Sequence, residues 1–162
     1  MSGIILRDFE AADLADICEM ESDLRVREFI GGVRTRGQSL QGLRFVIANQ
    51  GSPWAPKAIC LAGQAKVIGY CGLQPIDPED EGKIEVFYGL NAAYWGRGHA
   101  TQAVKLKLAE AFDGGAERVY ARIDGRNKKS IALVIKLGFG IEGELYNEKS
   151  KKSEILFSIG KP

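Results

Sequence analysis

Cysteine is scarce, histidine occurs once, and neither sign of charge prevails. Cys18, Cys60 and Cys71 stand without C-x-x-C spacing, which argues against a disulfide framework or a zinc site and leaves reduced thiols. With 22 Lys and Arg against 21 Asp and Glu, the net charge of +1 supplies no broad field to hold nucleic acid or an anionic membrane. No apolar run approaches a membrane span, and no charged-then-apolar leader opens the chain. The expectation is a cytoplasmic protein without metal. Repeats and low-complexity tracts are also missing, so the 162 residues, 45% hydrophobic, read as one domain, 1–162, with a real core.

What is present centres on Tyr94-Trp95-Gly96-Arg97-Gly98-His99-Ala100-Thr101, followed by a helical run from Gln102 to Phe112. Two glycines one residue apart let the backbone turn tightly and offer consecutive N–H groups at a helix start, a site for an anion such as phosphate. The same octapeptide also reads as a plain strand-to-helix corner.

In chain order, Ile4–Leu6 suits a first strand, and Leu14, Ile17, Cys18 and Met20 fall at helical spacing behind Glu10 and Asp13. Asp23 can cap a short helix, Leu24 to Ile30, stopped by Gly31-Gly32. Residues 33–44 show no firm period and read as a loop or frayed helix, whose Arg34, Arg36 and Arg44 form a solvated face or else steer an acidic substrate. Lys57–Ala62 and Lys66–Cys71 form a hairpin-like pair. Gly72–Gly82 reads as a turn-rich connection whose carboxylates, Asp77, Glu79, Asp80 and Glu81, form a solvated acidic loop or else attract a cationic substrate.

KIEVFYGL, Lys83 to Leu90, is the fourth strand, with Ile84, Val86, Tyr88 and Leu90 on one face and Lys83, Glu85, Phe87 and Gly89 on the other. Gly89 inside it suggests a bulge or close approach of a ligand. After the central helix, ended by Gly114-Gly115, come a strand over Arg118–Ile123 and a helix opened by Asn127 or Ser130. Gly138-Phe139 closes that helix in the Schellman manner. Two last strands, 141–146 and 154–159, complete the order β-α-α-β-β-β-α-β-α-β-β, a mixed sheet flanked by helices.

With KIEVFYGL, NAAYWGRGHATQA and NKKSIALVIKLGF at this spacing, the chain resembles the GNAT superfamily of acetyl-coenzyme A dependent N-acetyltransferases, and most of all the branch that acetylates N-terminal Ala or Ser of ribosomal proteins. LRDFEAADLADICEMESDLRVREFIGG is similar to the paired entry helices of that branch. The resemblance implies an acyl-CoA N-acyltransferase fold of the α/β (α+β) class, a mixed, mostly antiparallel seven-stranded sheet with about four helices. It implies that backbone groups of Tyr88, Gly89 and Leu90 receive the pantetheine arm as an added strand. The pyrophosphate falls to the loop of Trp95, Gly96, Arg97, Gly98, His99, Ala100 and Thr101, and Asn127 and Ser130 contact the cofactor arm. In the reaction a neutral amine attacks the thioester carbonyl, and coenzyme A leaves as thiolate. The N–H of Leu90, freed where the strand bulges, is the implied oxyanion donor.

Three departures bear on the chemistry. Trp95 stands where relatives begin the loop with Gln or Arg, and it reads as a packing residue. Val134 replaces the tyrosine that donates a proton to the leaving sulfur, which makes Ser130, one turn earlier, the substitute; as a bland alternative Ser130 caps the helix. Arg122 replaces a glutamate base, leaving Glu85 as the carboxylate to act directly or through water, or else as a sheet-surface residue paired with a lysine. His99 lies inside the loop, which argues against proton transfer, and Tyr146 reads as surface.

The implied partners are acetyl-CoA and an amine acceptor, a protein N-terminus first and a small amine or aminoglycoside second, in a monomer or homodimer. A non-catalytic acyl-CoA sensor on the same fold is the reading from another class.

Overall fold

The computed structural model describes residues 3–149 and 151–162. Its strands are β1 (Ile4–Arg7), β2 (Lys57–Leu61), β3 (Val67–Asp77), β4 (Asp80–Leu90), β5 (Arg118–Asp124), β6 (Gly140–Asn147) and β7 (Lys152–Gly160). They form a single sheet in the order β1-β2-β3-β4-β5-β7-β6. The helices are α1 (Leu14–Glu21), α2 (Leu24–Arg27), α3 (Arg36–Ala48), α4 (His99–Asp113) and α5 (Lys128–Lys136).

All neighbouring strands are antiparallel except β4 and β5. α4 crosses over between these two and returns the chain to the same end of the sheet, which is what a parallel pair requires. Alternation along β4 sets the layers. Val86 and Leu90 join Val104, Leu108, Phe112, Val119, Ala121 and Val134 in the main core, on the side of α4 and α5. On the opposite face Phe9, Ile17 and Leu43 cover Ala58, Cys60 and Val67.

Besides α2, which ends at Arg27 rather than Ile30 and gives way to a turn over residues 28–31, two segments differ from the sequence expectation. Residues 33–44 are not a loop: α3 begins after Thr35, whose hydroxyl accepts from the Gln38 N–H at 3.2 Å while Gln38 Oε1 accepts from the Thr35 N–H at 2.9 Å. This capping box starts the helix despite Gly37 and Gly42. It brings the α-helices among the described residues to five, where about four were expected.

Nor is Gly72–Gly82 a turn-rich connection. β3 continues through Pro75, which pairs with Ile84, and the turn is confined to Asp77–Asp80. β2 pairs with β3 only as far as Cys71. Pro75 therefore lies past the end of β2, where its missing N–H costs no ladder bond. The acidic turn residues are exposed.

Termination follows local rules. Phe139 N–H donates to Val134 O and Gly138 N–H to Ile135 O, both at 3.0 Å, with Gly138 at φ +97°, which is the Schellman arrangement.

Candidate active site

The parallel pairing of β4 with β5 is confined to Ile84–Val119 and Glu85–Tyr120. Beyond it the strands part, and a cleft of about 690 Å³ opens between them, lined by Tyr88, Arg122, Asn127 and Ser130 among others. Which backbone groups face it follows from register. Leu90 is opposite Gly69, and Asn91 N–H donates to Ile68 O at 2.7 Å. Leu90–Gly69 is therefore a non-hydrogen-bonded pair, as are Tyr88–Cys71 and Val86–Leu73 two and four residues back. The N–H groups of Tyr88 and Leu90 point away from β3, toward the place β5 has left.

The Leu90 N–H is thus open without a bulge, which corrects the expectation: the β3–β4 register runs unbroken from Gly69–Leu90 to Pro75–Ile84. Gly89 has a different reason. A Cβ there would stand 2.6 Å from the Tyr70 ring, so the glycine admits the protein's own tyrosine. The Leu90 carbonyl accepts from Trp95 Nε1 at 2.9 Å, and Lys129 Nζ sits 4.0 Å above the Trp95 ring. Trp95 packs as expected, tying the end of β4 to α5.

At the end of β4 the glycine turn runs into α4. Gly96 and Gly98 have φ of +74° and +81°, and Gly98 is the N-cap with no side chain to offer. The first intrahelical bond is Gln102 N–H to Gly98 O, 3.0 Å. The N–H groups of His99, Ala100 and Thr101 consequently have no acceptor within the helix and add to its positive end. Arg97 lies over Tyr94. His99 is buried at the first helical position, and its Nδ1 has no partner among the described residues.

Asn127, not Ser130, caps α5, its side-chain oxygen accepting from Ser130 N–H at 3.2 Å. That frees the Ser130 hydroxyl, which is hydrogen-bonded to the Tyr88 hydroxyl across the cleft. Burial pushes the Tyr88 phenol up to about 12, against a smaller opposing effect of that bond. Val134, one turn along, is wholly buried and apolar.

The opposite face of the sheet carries the charged floor. Glu85, 4% exposed, accepts from Arg122 Nε at 2.8 Å and Nη2 at 2.6 Å, and from Gln74 Nε2 at 2.8 Å. Its partner is thus an arginine from the adjacent strand, not a lysine. The forked bond to Glu85 raises the Arg122 pKa, against the effect of burial. Residues 28–32 line the cleft from above. Arg126 braces them, stacking 5.5 Å from the Phe29 ring centre while donating to both oxygens of Asp124. The sequence reading missed the Tyr88 side chain, Gln74 and the Phe29–Arg126 contact; alternation along β4 fixed the Tyr88 face, but no local pattern marks a partner on α5.

Among the described residues no cluster of His, Cys, Asp and Glu could hold a metal, and no helix is long and apolar enough to cross a membrane.

The family model for the acetyltransferase (GNAT) domain matches residues 4–140. The uncharacterized N-acetyltransferase p20 of Bacillus licheniformis is 27% identical over 165 residues, spanning 94% of this chain and 88% of that protein. Among solved structures, the ribosomal-protein-S5-alanine acetyltransferase of Vibrio fischeri superimposes with a TM-score of 0.75 at 21% identity, with 100% of both chains covered. The microcin C7 self-immunity acetyltransferase MccE, solved with acetyl-CoA and AMP, gives 0.81 at 20% identity, covering 98% of this chain and 93% of that one.

The mixed sheet split above a glycine turn is an acyltransferase architecture. The chain belongs to the GNAT family of acetyl-CoA-dependent N-acetyltransferases.

Proposed function

We propose that the protein moves an acetyl group from acetyl-CoA to a protein N-terminal amine by direct attack within a ternary complex. The observation that carries this reading is the split between β4 and β5, with the N–H groups of Tyr88 and Leu90 turned into it and an uncapped helix start at its end. Bound acetyl-CoA supplies the thioester and a thiolate leaving group.

The chain's own groups fit that chemistry. The N–H groups of Gly96 through Thr101 hold the pyrophosphate, and the Asn127 side-chain amide, whose oxygen is engaged in the cap, offers its NH₂ to the cofactor arm. The Leu90 N–H faces the carbonyl oxygen as charge develops there. The Ser130 hydroxyl, oriented by Tyr88, donates to the leaving sulfur. Glu85 already accepts three hydrogen bonds. An ionised carboxylate has about four acceptor positions, so one remains through which a water can take the amine's proton.

The choice of acceptor rests on proton availability. With pKa values of about 8 and about 10.4, roughly one α-amine in ten is neutral at pH 7, against roughly one lysine in 2,500. A site whose carboxylate is engaged by arginine favours the amine that arrives already neutral. The likeness to the S5-alanine acetyltransferase structure agrees with this.

The test is coenzyme A release with peptides bearing free Ala or Ser N-termini, the same peptides N-terminally blocked but carrying lysine, and polyamines. Acetylation of the free N-termini alone is expected. Acetyl-CoA binding without turnover on any amine would favour a sensor, and turnover on polyamines only would move the acceptor class.

A further inference from the structure

A second cavity of about 330 Å³ lies under α1 and α3, separated from the cleft by Phe87, which lines both. Its walls are apolar, with Phe9, Met20, Leu43 and Tyr70 prominent, yet two arginines and one glutamate also enter it. Arg34 Nη1 pairs with Glu21 Oε2 at 2.9 Å, whereas Arg27 Nη1 stands 3.9 Å from the same oxygen. Glu21 is thus committed to Arg34. Arg27, with a side chain only 9% exposed, donates from Nε to Gly32 O at 2.9 Å and also meets the Tyr70 hydroxyl, which leaves it neutral partners only at close range. Two guanidinium charges share one carboxylate in an apolar pocket, and the excess positive charge sits on the more buried of them. A desolvated cation that shares a distant counter-ion with a second arginine is costly, and a carboxylate in the fork of an arginine is its natural complement.

We propose that this cavity binds a small apolar carboxylate, its carboxylate oxygens on Arg27 and Arg34 and its tail against Phe9, Leu43 and Phe87. The excess is one charge, which matches a monoanion, and the volume is at the lower end for ligand pockets, which matches a ligand of about ten heavy atoms. Because Arg27 Nε holds the Gly32 carbonyl, and Gly32 lines the acceptor side of the cleft, the ligand acts on the position of residues 28–32. Its occupancy changes the KM for the amine and leaves acetyl-CoA affinity alone.

The test is titration of the intact protein with phenylacetate and with phenylacetamide, which has the same shape and no charge, followed by calorimetry or amide NMR shifts. Saturable phenylacetate binding with a Kd of about 1 mM or tighter is expected. Phenylacetamide should bind at least about tenfold more weakly, and Arg34→Gln should weaken phenylacetate by about tenfold, as loss of one charge-assisted contact requires. Arg27→Lys, which keeps the charge but not the fork, should weaken it similarly; if that variant does not fold, the exposed Arg34 decides. Equal binding of acid and amide, no saturation in cooperatively folded protein, or affinity unchanged by Arg34→Gln would each overturn the proposal. The readout needs no acetyl-CoA, so a chain that took up phenylacetate but not acetyl-CoA would sink the transfer reading and leave this one standing.

Discussion

Tyr88 serves the cleft twice, with an N–H open to the gap beside β4 and a hydroxyl on Ser130. If the pair holds the leaving sulfur, Ser130→Ala and Tyr88→Phe each remove one link from the same chain. A hydrogen bond to a charged group contributes about 1.5–3 kcal/mol, so each variant should lose roughly ten- to a hundredfold in kcat with acetyl-CoA affinity unchanged, and the double variant little more. Steady-state kinetics beside acetyl-CoA titration would show this; a loss appearing in affinity alone would contradict it. The phenol is held protonated well above neutrality, so the Tyr88→Phe defect should be flat from about pH 6 to 9. Glu85 and Arg122 make a sharper stability case. Arg122→Ala strands a buried carboxylate and should cost about 3 kcal/mol, while Glu85→Ala/Arg122→Ala together should cost less than Arg122→Ala alone. Urea unfolding of the variants measures both. The pairing itself was not legible, because Glu85 and Arg122 are 37 residues apart and meet only once the crossover has laid β5 beside β4.

Among the elements, α3 shows how a local signal is overlooked. Thr35-x-x-Gln38 is a helix-start signature, and Leu40, Leu43, Val46 and Ile47 follow at near-helical spacing. Two glycines and an exposed Phe45 blurred the stripe. Thr35→Ala should lower stability by about 1 kcal/mol, seen as a reduced denaturant midpoint at constant m-value. The extension of β3 was hidden for the opposite reason. Gly72 and Pro75 look like breakers, yet Gly72 makes room for the Phe87 ring and Pro75 lies where no strand pairs on its outer side. By contrast, the strand–glycine turn–helix unit and the Schellman stop at Gly138 were legible, since both depend on backbone conformations that glycine adopts and other residues resist.

At the scale of the molecule, one crossover makes the site: α4 forces β4 and β5 parallel, a brief pairing lets them diverge, and the cleft opens with Tyr88 and Ser130 on one face and the Glu85–Arg122 charged floor on the other. The brace between Phe29, Arg126 and Asp124 spans its mouth and carries a pH dependence. The Arg126 hydrogen bond, aided by its charge, holds the Asp124 carboxyl below the ordinary carboxylate range. A lowered folded-state pKa contributes stability that is present above about pH 4 and lost as pH falls through the folded value. Asp124→Asn should therefore be less stable than wild type at pH 6, with the gap narrowing below about pH 4, as chemical unfolding at the two pH values would show.

The central claim is that the turn from Gly96 to Thr101 is the acetyl-CoA pyrophosphate cradle. Position 98 is the N-cap of α4, with open space around it. Aspartate there tolerates a left-handed backbone better than most residues and favours a helix start, yet it sets a carboxylate against the phosphates. Calorimetric titration of acetyl-CoA into wild type and a cooperatively folded Gly98→Asp variant is the direct measurement. Saturable binding to wild type and its loss in the variant is the predicted result; equal affinity in the two would contradict the account.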